Sequence, residues 1–229
     1  IGQAGTLNKG WAMAKGTYLT YLSSDDILKS DCISKIINSF QQSSDDICCI
    51  YPNSNLIDFK SRVMKTSVCK QFDYVELVIK QECYIGPGAV FRKSDFQNHG
   101  GWRTDLVLAP DREFWMRLGR TGKFKMIDKN LAGYRSHPQA GIYREYSEEI
   151  SREYLRVLDD FFKQPVVPTE ILLRKDEAYG WANLLIARNR LRDFDIKKAL
   201  SYYRVACRLH AELRQFKVML MILRTTVSK

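Results

Sequence analysis

Residues 18–28 read YLTYLSSDDIL. An apolar, β-prone run from Thr17 to Leu22 breaks at Ser23-Ser24 and is followed at once by two carboxylates, Asp25 and Asp26. β-branched and aromatic residues bounded by small polar ones predict a short buried strand. Carboxylates just beyond a strand end lie where open α/β sheets bind ligands, at the carboxyl edge of the strands. Two adjacent acids repel each other unless a proton or a divalent cation intervenes. Hard oxygen donors suit Mg2+ or Mn2+, which is usually shared with substrate phosphates. The alternative is an acidic loop capping the helix that follows, since Asp near a helix N-terminus is common.

Outward from this stretch, the first 140 or so residues alternate strand and helix patterns. Thr6 to Lys15 predicts a helix closed by Gly16, and Ser30 is expected to cap a helix ending near Gln42. ICCIY at 47–51 predicts a second buried strand, and 52–70 a hairpin with a loop. A short helix is expected over Phe72 to Lys80, and a strand after Gly86-Pro87-Gly88. A helical turn ends at Gly100-Gly101. Pro110 opens a helix running through Arg120. Phe124 to Ile127 and Leu131 to Tyr134 predict two further strands.

After His137-Pro138 the pattern becomes all-helical, over Glu145–Phe162, Thr169–Ala187, Asp195–Leu209 and about Ala211–Leu223. Trp181, Leu184, Leu185, Ala199 and Tyr203 give a helix–turn–helix rhythm resembling one tetratricopeptide-like unit, which alone cannot bury its own faces. A plain helical hairpin is the expectation. The fold class is therefore α/β followed by an all-α tail, with domains expected at 1–143 and 144–229.

The chain of 229 residues is 45% hydrophobic and carries a net charge of +10. The charge is uneven: residues 151–229 hold sixteen Lys/Arg against nine Asp/Glu. A basic tail fits a solvated face, an anionic ligand or a membrane surface. No nucleic-acid-reading motif is present and acids interleave the bases, so nucleic acid is not an expected partner. The last helix, with Val218 to Leu223 beside Arg214, Lys217 and Arg224, suits either packing within the tail or peripheral contact with the inner membrane surface. No run of apolar residues is long enough to span a membrane. None of the six cysteines forms a CxxC pair, and reduced, mostly buried thiols of a cytoplasmic protein are expected.

Two later motifs add chemistry. LAPDREFWMRLGRTGKF sets Asp111 and Glu113 at the start of a helix whose apolar face carries Phe114, Trp115 and Leu118. A carboxylate there is either a cap or a general base facing a cleft. LAGYRSH places Arg135 and His137 after a strand. Arg suits phosphate and His suits a metal, though each also has a plain structural account.

GQAGTLNKGWAMAKGTYLTYLSSDDIL, GGWRTDLVLAPDREFWMRLGRTGKF and LAGYRSH, in that order, resemble the family-2 glycosyltransferases of the GT-A fold. The resemblance spans residues 1 to about 140. It implies an inverting enzyme with a nucleotide-sugar donor, a Mg2+ or Mn2+ cofactor, and a saccharide, lipid-linked or protein acceptor. It implies Asn8 and Lys9 beside the nucleotide, Asp25 on the ribose or diphosphate, Asp26 on the metal, and Asp111 as catalytic base. Arg135 is expected near the diphosphate and His137 at the metal. Gly86, Trp102 and Glu113 are expected along the acceptor cleft, Trp102 as a sugar-stacking ring or simply part of a turn. Many relatives carry Asp where this chain has Ser23 and Glu where it has Pro110. Relatives also begin with a βαβ stretch that forms most of the nucleobase pocket and has no counterpart here. The expectation is thus the carboxyl-terminal part of a glycosyltransferase, the alternative a catalytically inactive remnant or binding module.

Overall fold

The structure, a computed structural model, describes residues 2–108, 110–136 and 147–215. The chain divides into two compact units that are not successive in sequence. The first comprises residues 1–74, 83–104 and 113–140. The second comprises 75–82, 105–112 and 141–229. The second unit gathers two segments from within the α/β part, beside the stretch after residue 140 that the sequence reads as the helical tail.

The first unit is built on a mixed sheet. Its strands are β1 (Tyr18–Thr20), β2 (Ile27–Leu28), β3 (Ile47–Ile57), β4 (Val63–Lys65), β5 (Val90–Arg92) and β6 (Lys123–Arg135), in the order β1-β5-β3-β6-β2, with β4 hairpinned onto β3. β3 and β6 run parallel; the β1–β5, β5–β3 and β6–β2 pairs are antiparallel. A strand covered on both faces needs an apolar run rather than strict alternation, and β3 is buried from Cys48 through Ser54.

On one face lies α2 (Cys32–Gln41), whose Cys32, Ile36 and Phe40 pack with Ile50, Val90 and Leu131. Its cap is Asp31 rather than the expected Ser30, and Asp31 pairs with Lys35 one turn on instead of closing a backbone N–H. On the other face α1 (Gly2–Met13) buries Trp11 in a nest of rings. Phe91 meets it edge-on at 5.2 Å, Phe114 stacks at 5.9 Å, and Trp102 lies at 6.0 Å. Aromatic pairs in this range add about 0.5–1.5 kcal/mol each beyond area burial.

The two strands expected at 124–127 and 131–134 are one strand, β6. The break in pattern has a local cause. Pro52 in β3 has no N–H for the ladder, and the register jumps there: Pro52 faces Ile127 but Asn53 faces Asn130. The buried Asn53 side chain fills the gap, donating to Asp128 at 2.9 Å and accepting from Ser54 N and Cys69 N.

The six cysteines are free, and all but Cys83 are buried. Burial pushes the Cys48 thiol up to about 12, so it stays protonated at neutral pH.

The second unit includes α6 (Glu148–Ser151), α7 (Glu153–Phe162), α8 (Thr169–Leu172), α9 (Lys175–Arg192) and α10 (Ile196–Leu209). The expected 145–162 and 169–187 helices are each interrupted, at Arg152 and at Leu173-Arg174. α9 and α10 form the expected hairpin, with Leu184, Ala206, Cys207 and Leu213 as its core. Asp195 caps α10 by accepting from Lys198 N. Among the described residues a short 3-10 turn, Ala211–Arg214, follows. The expected membrane-facing helix falls on residues outside the described ones. No described helix is long and apolar enough to cross a membrane.

Two residues tie α1 to the turn that follows α4 (Lys93–His99). Asn8 Nδ2 donates to Trp102 O at 2.7 Å, and Trp102 N donates to Asn8 Oδ1 at 2.8 Å. The approach needs glycine at 101, where a Cβ would sit 2.0 Å from Asn8 Oδ1. Gly101→Ala is therefore expected to expel the amide and leave buried backbone groups unsatisfied, at about 1–3 kcal/mol. In a chain of this size that lowers the Tm by roughly 2–10 °C. Thermal melts of Gly101→Ala, Asn8→Ala and the double variant check this. The double variant should be little worse than Gly101→Ala alone, and additive losses would contradict the contact.

Candidate active site

The turn Ser23–Asp26 closes by Asp26 N donating to Ser23 O at 3.1 Å. β2 begins immediately after it and pairs with the far end of β6, Ile27 against Gly133 and Leu28 against Ala132. This pairing carries Asp25 and Asp26 to the carboxyl ends of the parallel strands β3 and β6, where Ile57 faces Arg135.

Arg135 then ties three pieces of chain together. Its backbone N–H donates to Asp26 Oδ1 at 2.8 Å. Its guanidinium donates to Asp25 O at 2.6 Å, to Asp58 O at 2.5 Å and to Ser61 Oγ at 3.0 Å. Asp58 and Ser61 belong to the turn of the β3–β4 hairpin, a hairpin the sequence predicts over 52–70 but without any role for these residues. That turn is itself held by Asp58 Oδ1, which accepts from Lys60 N and Arg62 N at 2.8 and 2.9 Å. The Arg62 amide first of all holds the Asp58 carboxyl below its ordinary range, helped by the Arg62 guanidinium and the Lys60 amide against a burial effect of opposite sign. The segment DFKSR at 58–62, an acid flanking a tight basic turn, was the available sequence signal.

The structure thus brings Asp25, Asp26 and Arg135 together, all half-buried. Arg135 acts here as a fastener, with three of the five guanidinium N–H groups a fork offers spent on protein oxygens. Gly86 packs against β3, so close to Ser54 and Cys69 that a Cβ would stand 2.9 Å from each side-chain heteroatom. Any contact it makes to an acceptor is through its backbone.

Three other expectations change. Trp102 is 5% exposed, edge-on to Trp11 and Tyr21, so its ring is part of the core and presents no platform for a sugar. Glu113 is 8% exposed and pairs with Arg117 through both carboxylate oxygens, at 2.7 and 2.9 Å. Arg117 in turn donates to the carbonyls of His99 and Gly101, satisfying the orphan end of α4. Glu113 thus holds the arginine that closes that cap. Asn8 has both ends of its amide committed to Trp102, while Lys9 beside it is exposed.

Asp111 sits half-buried in the first turn of α5 (Pro110–Gly119), in the second unit. In the same unit the neighbouring Arg112 lies over the Tyr154 ring at 5.1 Å. Burial pushes the Tyr154 phenol up, but Arg112, Arg188 and Arg192 outweigh this and hold it below its ordinary value.

The donor chemistry of the Asp25–Asp26 turn fits the divalent cation that the resemblance implies. Mg2+ commonly takes one or two carboxylates and completes its shell with water and substrate phosphates. Among the described residues no group of three or more His, Cys, Asp or Glu side chains could form a closed protein cage. An ion shared with substrate is the mode these residues suit. His137 lies outside the described residues.

The fold resembles S. aureus TarS 1–349, solved with UDP-GlcNAc, with a TM-score of 0.56 and 11% identity over 91% of this chain and 72% of that one. It also resembles the mannosyltransferase PcManGT from Pyrobaculum calidifontis, solved with GDP-Man and Mn2+. There the TM-score is 0.51 and the identity 12%, over 99% of this chain and 59% of that one. At these identities the likeness concerns the fold, a GT-A sheet flanked by helices with a helical carboxyl-terminal part. Residues 2–100 match glycosyl transferase family 2, so that this part of the chain, in its GT-A fold, is similar to the family-2 glycosyltransferases. No curated protein matches the sequence.

Arg135→Lys tests the fastening. A single ammonium cannot reproduce the fork. Backbone amides at 24–27 and 58–62 should exchange faster with solvent deuterium while those of β3 at 48–51 keep wild-type protection. Unchanged exchange at both turns would show that the guanidinium does not hold them.

Proposed function

We propose that this protein transfers a sugar, with inversion at the anomeric carbon, from a nucleotide-sugar donor to a saccharide, lipid-linked or protein acceptor. The observation that carries the reading is the acid turn Asp25–Asp26, fastened by Arg135 at the carboxyl edge of a GT-A sheet. The solved neighbours' ligands, UDP-GlcNAc in one case and GDP-Man with Mn2+ in the other, support a nucleotide-sugar donor and a divalent cation.

In this reading Asp25 accepts hydrogen bonds from the donor ribose or faces its diphosphate, and Asp26 holds the cation. When bound, Mg2+ or Mn2+ supplies positive charge against the departing diphosphate. Arg135 acts through the turn it fixes, keeping both carboxylates in place before the donor arrives. Such preorganised charge stabilises a transition state without rearrangement during the reaction.

Asp111 is the proposed general base. Its carboxylate accepts the proton of the acceptor hydroxyl as the oxygen bonds to the anomeric carbon and the nucleoside diphosphate leaves. Lys9, exposed near the end of α1, is proposed to contact the donor nucleotide. Lipid-linked acceptors would place the enzyme on the cytoplasmic side of a membrane, in peripheral contact with it.

Asp111→Asn keeps the shape and removes the base. Turnover is expected to fall by about 10²–10⁴-fold, the usual contribution of a positioned base. Donor affinity, measured by calorimetry, should stay within about twofold, because the base acts on the acceptor. Near wild-type turnover in this variant would remove Asp111 from the mechanism.

A further inference from the structure

In the second unit, the first turn of α7 grips both flanks of the segment that carries Asp111. Upstream of Asp111, Glu153 is 5% exposed, and its carboxylate accepts from two successive backbone N–H groups. Val107 N lies 3.0 and 2.9 Å from the two oxygens, and Leu108 N lies 2.8 Å from Oε2. One turn further along α7, Arg156 donates to Asp105 O at 2.6 Å. Downstream of Asp111, Arg112 rests on the ring of Tyr154, the residue after Glu153, at 5.1 Å. Tyr154 is in turn fixed by Gln81, which donates to its carbonyl at 2.8 Å.

Hydrogen bonds from backbone N–H to an ionised carboxylate are about twice as strong as neutral ones. In a buried setting they also leave no neutral substitute of equal quality, because an amide in place of the carboxylate turns an N–H toward an N–H. Nothing local in 105–108 supplies that order: the segment has no helix or strand of its own. The grip comes from a residue 46 positions away.

We infer that Glu153 is a positioning residue for proton transfer: by clamping the Val107–Leu108 amides it holds the loop that delivers Asp111. The helical region is thereby a working part of the transferase and not an appendage. The inference rests on the reading of Asp111 as base.

The test is Glu153→Gln in the full chain, with two readouts. Deuterium exchange should quicken at the Val107 and Leu108 amides while α9 and β3 stay protected. The turnover number should fall about 10- to 100-fold, as expected for a misplacement of about 1 Å, with the donor KM within about twofold. A merely structural role would lower active-enzyme concentration and melting temperature without that split at a temperature where the variant is folded. The inference is overturned if the loop amides stay protected, or if they exchange freely while turnover is unchanged. Should Glu153→Gln fail to fold, Arg156→Ala carries the same two readouts in milder form and decides in the same way. The failures are separable: an active Asp111→Asn sinks the base assignment, whereas an inactive Asp111→Asn beside a fully active, loosened Glu153→Gln sinks the clamp alone.

Discussion

Two residues of β-pairing decide where the acid turn lies. β2 is only Ile27 and Leu28, yet its bonds to Gly133 and Ala132 set the preceding acid turn at the far end of β6. Gly133 permits the closeness, since a Cβ there would stand 2.8 Å from Ile27. Without that pairing the Ser23–Asp26 turn would be an ordinary exposed loop after an edge strand. With it, Asp26 receives the Arg135 amide, and the Arg135 side chain can reach back across to Asp25 and the β3–β4 turn.

The arrangement eases a physical conflict. Adjacent carboxylates repel unless a positive charge lies close to them. A guanidinium beside them, hydrogen-bonded to the backbone of the same turn, offsets part of that repulsion and fixes the backbone. The same logic recurs at Arg117 and Glu113, where a charge-paired arginine closes the end of α4, and at Glu153, where a carboxylate closes two loop amides. In each case a charged side chain serves backbone groups that no regular element satisfies.

What the sequence made legible was local. The strand ending in SSDD, the α4 stop at Gly100, the Asp195 cap and the α9–α10 hairpin all follow from patterns within a few residues. What escaped reading depends on partners far along the chain. Asn8 and Trp102 are 94 positions apart, and nothing in either neighbourhood signals their two-bond match. Trp102 reads as a sugar-stacking ring or as part of a turn, and its burial in the core is not signalled because an aromatic after Gly-Gly has no periodicity to judge it by. β6 read as two strands because Asp128 and Lys129 interrupt the apolar pattern, an interruption set by a proline on the neighbouring strand. Glu153 and Arg174 likewise join residues 105–108 and Glu76 to the helical unit through side-chain contacts with no sequence periodicity.

The claim that the acid turn is the seat of the diphosphate and its cation is tested most directly by Mn2+ binding, followed by electron paramagnetic resonance, with and without UDP or GDP. Wild-type protein should bind Mn2+ more tightly when one of these nucleotides is present, and Asp26→Ala should abolish the enhancement while keeping its melting temperature. Equal nucleotide-dependent Mn2+ binding in the two proteins would contradict the account.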